Sequence, residues 1–191
     1  MADGDTLGVL ELYTNVPFGT SLRKVSDDLV DGEDVWAFAW APDSSLIAYQ
    51  ANQEETNKDE LYTTVPDRDQ DFVKISGPPT GGGLPREVDV NSFGWAPDSS
   101  RVAYIARQAT DFYELYSSTP DGATNNAVVS GPLVAGGRVN SFKWSPDSSR
   151  VAYRADQDTI NVPELYSSQP EGSDNVKISS GEVDDIYDWV P

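Results

Sequence analysis

Neither cysteine nor histidine occurs anywhere in these 191 residues. Without cysteine there is no disulfide frame and no thiolate nucleophile, which fits a reducing compartment and is compatible with export. Without histidine the commonest general base and transition-metal ligand is missing, and a Ser-His-Asp triad cannot be assembled within the chain. Positive charge is scarce: 13 Lys+Arg stand against 32 Asp+Glu, a net charge of −19. Binding phosphates takes clustered cations, so nucleic acid and anionic membranes are excluded as partners. No apolar run approaches the roughly 18 residues of a spanning helix. Met1-Ala2-Asp3-Gly4 has neither the basic nor the apolar character of a signal peptide. A soluble chain is expected, cytoplasmic or, as a fragment, exported. No segment offers a helical period with caps.

Aromatic residues are well represented, with five Trp, nine Tyr and six Phe. Each buries a large area, so a modest 38% hydrophobic fraction still supports a core. The acid is spread through stretches such as ANQEETNKDE, PDRDQDF and EVDDIYD. It reads first as a solvated surface that resists aggregation. A high-salt habitat and Ca²⁺ binding are the second and third readings.

Two phrases recur along the chain. Aromatic-x-Trp-x-Pro appears as FAWAP from Phe38, FGWAP from Phe93, FKWSP from Phe142 and YDWVP from Tyr187. Glu-Leu-Tyr appears with its tyrosines at Tyr13, Tyr62, Tyr116 and Tyr166, spacings of 49, 54 and 50 residues. Each unit reads as four short strands, here a to d. In the third unit these are Arg138 to Trp144, Ser149 to Ala155, Glu164 to Gln169 and Asn175 to Ser179. Between a and b, Pro-Asp-Ser-Ser supplies a fixed φ and side chains that bond local backbone, the chemistry of a tight turn. Four strands at a period near 50 predict an all-β fold, a β-propeller of four-stranded blades. A blade cannot cover both its faces alone, so neighbours must stack.

The residues WSPDSSRVAY followed by ELYSSQPEG resemble the PD40, or TolB-like, class of WD40-related propeller repeats. That class carries Gly at the fourth turn position, where this chain has Ser44, Ser99 and Ser148. The resemblance implies fold across nearly the whole chain. It leaves function open among scaffolds, periplasmic binding proteins and the non-catalytic propellers of prolyl-oligopeptidase-like enzymes.

Aligning MADGDTLGVLELYTN with RADQDTINVPELYSS sets the organisation of a single array over 1–191. Residues 1–30 supply strands c and d of a split blade, 31–83, 84–134 and 135–181 are full blades, and 182–191 supply strand a. Strand b of the split blade has no counterpart in the chain. Closure as four blades, two chains joined into a ring of about eight, and a fragment of a longer propeller are the alternatives. Self-association is the favoured expectation, since open blade edges invite partners.

Recurrence at one strand end assigns Trp40, Trp95, Trp144 and Trp189 to packing between blades. Trp36 belongs to one unit; near its place the others carry polar Asp89, Arg138 and Asp185, which makes it a slightly better ligand candidate, with packing at the first blade the favoured reading. Asp43, Asp98 and Asp147 read as turn formers rather than metal ligands. Glu11, Glu60, Glu114 and Glu164 open strand c, where they face partners or pair with Arg101, Arg150 or Arg154. The b-to-c loops and d-to-a linkers vary most and mark the rim where partners bind. No catalytic residue, cofactor or metal site is expected. The function expected is a non-catalytic scaffold for a protein or ligand. The alternatives are the propeller of a prolyl-oligopeptidase-like hydrolase and a sugar-binding propeller.

Overall fold

The computed structural model describes residues 7–15, 22–30, 32–56, 58–77, 89–108, 110–124 and 126–186. Trp189 and half of the last predicted strand, 187–191, lie outside the described residues. Among those described, every regular element is a strand. A short hairpin comes first, from β1 (Tyr13–Thr14) and β2 (Arg23–Lys24). The first full blade follows: β3 (Val35–Trp40), β4 (Ile47–Ala51), β5 (Glu60–Thr64) and β6 (Phe72–Lys74). The second is β7 (Asp89–Trp95), β8 (Val102–Arg107), β9 (Glu114–Ser118) and β10 (Ala127–Val128). The third is β11 (Val139–Trp144), β12 (Val151–Ala155), β13 (Glu164–Ser168) and β14 (Val176–Lys177). Within each blade the strands pair antiparallel in chain order.

Strands b and c sit in the middle of each sheet and are the most buried, with Ile47–Ala51 and Glu60–Thr64 enclosed throughout. A tyrosine on b faces a tyrosine on c in register: Tyr49 with Tyr62, Tyr104 with Tyr116, Tyr153 with Tyr166. The rings stack with centroids 5.4, 5.7 and 5.8 Å apart, the offset arrangement that aromatic quadrupoles favour. Burial pushes the Tyr104 hydroxyl up to about 12.

The apolar cores lie between blades rather than within them. Tyr104 and Tyr116 of the second blade pack on Ala48, Leu61 and Ile75 of the first. Tyr153 and Tyr166 of the third pack on Ala103, Ile105, Leu115 and Val129 of the second. Tyr49 and Tyr62 of the first pack on Leu12 and Val25 of the opening hairpin. One blade therefore presents tyrosines backward and small or aliphatic residues forward. This two-sided pattern makes stacking directional and repeatable.

Candidate functional site

Four hydrogen bonds repeat at each step from one blade to the next. The first joins the start of strand a to the carbonyl before Glu-Leu-Tyr: Val35 N to Leu10 O at 2.7 Å, Val90 N to Asp59 O at 3.0 Å, and Val139 N to Tyr113 O at 2.8 Å. Val183 N donates in the same way to Pro163 O at 2.9 Å. In the second, the indole N–H donates to the carbonyl before the preceding tryptophan: Trp95 to Ala39 at 3.1 Å and Trp144 to Gly94 at 3.0 Å. The third runs between turns, with Asp43 N donating to Ser99 Oγ at 3.1 Å and Asp98 N to Ser148 Oγ at 3.0 Å. In the fourth, a strand-c hydroxyl donates to a proline carbonyl of the next blade: Thr14 to Pro66, Thr63 to Pro120, Ser117 to Pro170.

The third tie explains why serine stands where the related repeats carry glycine. Ser44, Ser99 and Ser148 have φ of 64°, 63° and 61°. That left-handed region costs an L-residue roughly 1–2 kcal/mol. Glycine would avoid the strain but has no hydroxyl for the neighbouring turn. Asp43, Asp98 and Asp147 each accept from the backbone N–H two residues on, at 2.9, 3.0 and 3.1 Å. Hydrogen bonds from the Ser145 and Ser149 hydroxyls hold the Asp147 carboxyl at about 2. Asp43 and Asp98 are also below the usual range, held by bonds from Ser45 and Ser100.

The glutamates find partners other than the arginines expected for them. Glu11, Glu60, Glu114 and Glu164 each accept from the tyrosine hydroxyl two residues on. Lys24, Lys74 and Lys177, on the outer strand, pair with Glu11, Glu60 and Glu164. The second blade has Val128 at the lysine position, and there Thr110 donates to Glu114 at 3.0 Å. Arg101 instead bonds Ser117, Arg150 bonds Ser167 and Asp174, and Arg154 bonds the Val183 carbonyl. Trp36, 53% exposed, donates its indole N–H to Asn52 at 2.9 Å.

The meander sorts the connections onto two rims. The a-to-b and c-to-d turns, which repeat closely, share one rim. The b-to-c loops and d-to-a linkers, which differ between units, share the other. At the variable rim Asp59 and Asp89 form a parallel bridge joining the first two blades. Burial, then the nearby Asp89 charge, raises the Asp59 carboxyl above its ordinary value. Asp89 accepts from Arg107 at 2.6 Å and from the Tyr113 hydroxyl at 2.5 Å. No spacing in the sequence marked this pair, because thirty residues separate its members. Between the inner strands β7 and β11 lies an open groove of about 600 Å³, lined by Asn91, Phe93, Asn140, Phe142 and Lys143 among others. Among the described residues no group of three or more carboxylates is arranged to hold a metal ion, and no helix is long and apolar enough to cross a membrane.

No family model and no curated protein matches the chain. Solved structures do. A prolyl endopeptidase aligns over 88% of this chain and 26% of its own, at 16% identity and a TM-score of 0.56. TolB from Acinetobacter baumannii aligns over 90% and 38%, at 14% identity and a TM-score of 0.48. The C-terminal WD40 domain of Sif2 aligns over 83% and 41%, at 18% identity and a TM-score of 0.44. The chain thus spans well under half the length of each of these structures. At such identities the likeness speaks for fold alone. Directional blades, inter-blade cores and the likeness to the endopeptidase structure together make the chain an arc of β-propeller blades.

Proposed function

We propose that this chain is a non-catalytic β-propeller scaffold that engages a protein partner through its variable rim. The observation that carries the reading is the sorting of the connections. The repeated residues are committed to turns and inter-blade ties, whereas unit-specific loops gather on one rim. Loops held on a rigid scaffold are where recognition concentrates. The rim is acidic, with Glu54, Glu55, Asp111, Asp158 and Glu182 all exposed. A partner with a basic face is therefore favoured by charge complementarity. The test is a photo-crosslinking residue at Ile160, exposed on this rim, against one at Asp121, exposed on the opposite rim. Discrete protein adducts are expected from Ile160 and not from Asp121. Equal capture from both positions contradicts the reading.

The prolyl endopeptidase likeness favours a second reading, because this chain aligns almost entirely yet spans only 26% of that protein. On that reading the chain is the propeller portion of a hydrolase whose chemistry sits on another domain. A G-x-S-x-G strand–turn–helix in the parent gene would support it.

A further inference from the structure

We infer that the groove between the inner strands β7 and β11 is a binding site for a neutral saccharide. The inference stands on the walls of this groove and is independent of the rim reading.

The two walls carry the same three residues, Asn91-Ser92-Phe93 on β7 and Asn140-Ser141-Phe142 on β11. The ladder to strand b is irregular at the asparagine in both blades, with register shifts between Val90 and Ser92 and between Val139 and Ser141. A bulge of this kind leaves one residue out of the pairing and re-aims its side chain. The first blade has the same irregularity between Val35 and Ala37, and there the residue is Trp36. The bulge therefore belongs to the blade, whereas the residue set on it differs. The second and third blades both set an amide there, one on each side of the groove.

These polar groups have capacity to spare. Asn140 Oδ1 accepts from Arg138 Nε at 3.0 Å, which orients the amide and leaves its NH2 group to donate. Asn91 is exposed and makes no side-chain hydrogen bond among the described residues. Ser141 Oγ is buried and has no hydrogen-bond partner among them. A buried hydroxyl left unpaired is costly, so this one calls for a partner from outside the chain.

Apolar surface stands beside them. Phe93 and Phe142 each pack against an inter-blade core and also line the groove. The Phe142 ring lies over β7 at Gly94, where an added Cβ would sit 3.6 Å from it. Ring surface thus alternates with amide and hydroxyl groups on both walls. A sugar ring has the matching make-up, an apolar C–H face edged by hydroxyls that both donate and accept. An asparagine amide, with one acceptor and two donor hydrogens, suits such hydroxyls.

Charge selects among ligands. Asp and Glu supply 32 of the 191 residues, yet none lines the groove, and of its lining residues Lys143 alone is charged. A cation would find no carboxylate there. An anion would meet one lysine within a chain of net charge −19, whose field repels it. A peptide adding as a strand to β7 is disfavoured, because the Gly94 carbonyl already accepts the Trp144 indole N–H at 3.0 Å. The volume of about 600 Å³ lies within the roughly 300–1,000 Å³ of small-molecule sites.

The test is a microarray of neutral and acidic glycans probed with the fluorescently labelled full chain, followed by isothermal titration with the strongest neutral glycan and an acidic one. Neutral glycans should be retained, with uronate- or sulfate-bearing ones about tenfold weaker or worse through charge repulsion. Asn91→Ala and Asn140→Ala should each weaken binding about tenfold, as loss of a hydrogen bond in a binding site does. Ile160→Ser, on the variable rim, should leave binding unchanged. Circular dichroism checks that the variants fold. In the unsubstituted chain the side-chain amide signals of Asn91 and Asn140 should shift in ¹⁵N NMR as the neutral glycan is added, which reads the site without any variant. Retention of no neutral glycan overturns the inference. So do acidic glycans bound as tightly as neutral ones, binding that ignores both asparagine substitutions, or amide signals that stay in place.

Discussion

Trp144 and Trp40 hold the same place in the same repeat, yet one is 8% exposed and the other 47%. Their strands have the same length and pair with strand b in the same register. What differs is the neighbour. The second blade stands behind Trp144 and takes its N–H on Gly94, whereas among the described residues a hairpin stands behind the first blade. The tryptophan is therefore a connector whose value depends on the adjacent blade. It stabilises the fold where that blade is present.

The sharpest way to break this comparison is to truncate both residues. Trp144→Ala should destabilise the chain by about 3–5 kcal/mol, the range for large aromatic residues removed from cores. Trp40→Ala should change the stability of the chain by less than about 0.5 kcal/mol, as exposed positions do. Urea denaturation measures both, and equal losses would end the distinction.

A smaller effect separates covered from open tyrosines. Tyr104 donates to Asn126 Oδ1 at 2.7 Å and reaches Ile75 O of the first blade at 3.3 Å. Gln108 and Ser118 also donate to these two acceptors, so Tyr104→Phe removes bonds without stranding a partner and should cost about 1 kcal/mol. Tyr13 is half-buried and bonds Glu11 within its own hairpin, so Tyr13→Phe should cost less in the same denaturation series.

The turn serines sharpen the contrast further. Ser44→Gly relieves a positive φ and removes no inter-blade bond among the described residues, so it should stabilise by about 1 kcal/mol. Ser99→Gly relieves the same strain but removes the bond from Asp43 N. It should fall about 1 kcal/mol short of Ser44→Gly. Thermal melts of the two variants side by side read the difference.

The smallest effect is that of acid, because the turn carboxylates are exposed and their bonds are weakened by water. Their folded pKa lies below the unfolded value of about 3.9. Such groups contribute stability that is complete above the unfolded value and is lost as pH falls through the folded one. For Asp147 that window runs down to about 2. Melting temperature should fall through this window, and less steeply in Asp147→Asn. Identical slopes would remove the Asp147 turn from the account.

Much of this architecture was legible in the residues. The strands predicted for the third blade, 138–144, 149–155, 164–169 and 175–179, match β11 to β14 apart from trimmed ends. Periodicity works there because each blade repeats the same alternation and the same turn chemistry. The direction of stacking was harder to see. It depends on which face of strands b and c carries tyrosine, and that emerges only when two blades are placed together. The glutamates illustrate the same limit. Their lysine partners, Lys24, Lys74 and Lys177, lie on the neighbouring outer strand 13 or 14 residues away, where loop length hides the pairing. The turn serines looked like a slight departure from a glycine rule until the hydroxyl was found bonding the adjacent turn. Exposure of Trp40 was not legible at all, since nothing in FAWAP distinguishes it from FGWAP. Only the packing of neighbouring blades in the structure does so.

Indole N–H exchange, followed by ¹⁵N NMR, tests the connector role most directly. The Trp95 and Trp144 signals, bonded to the preceding blade, should exchange slowly, while the exposed Trp40 signal exchanges fast. A Trp40 signal as protected as that of Trp144 would contradict the account.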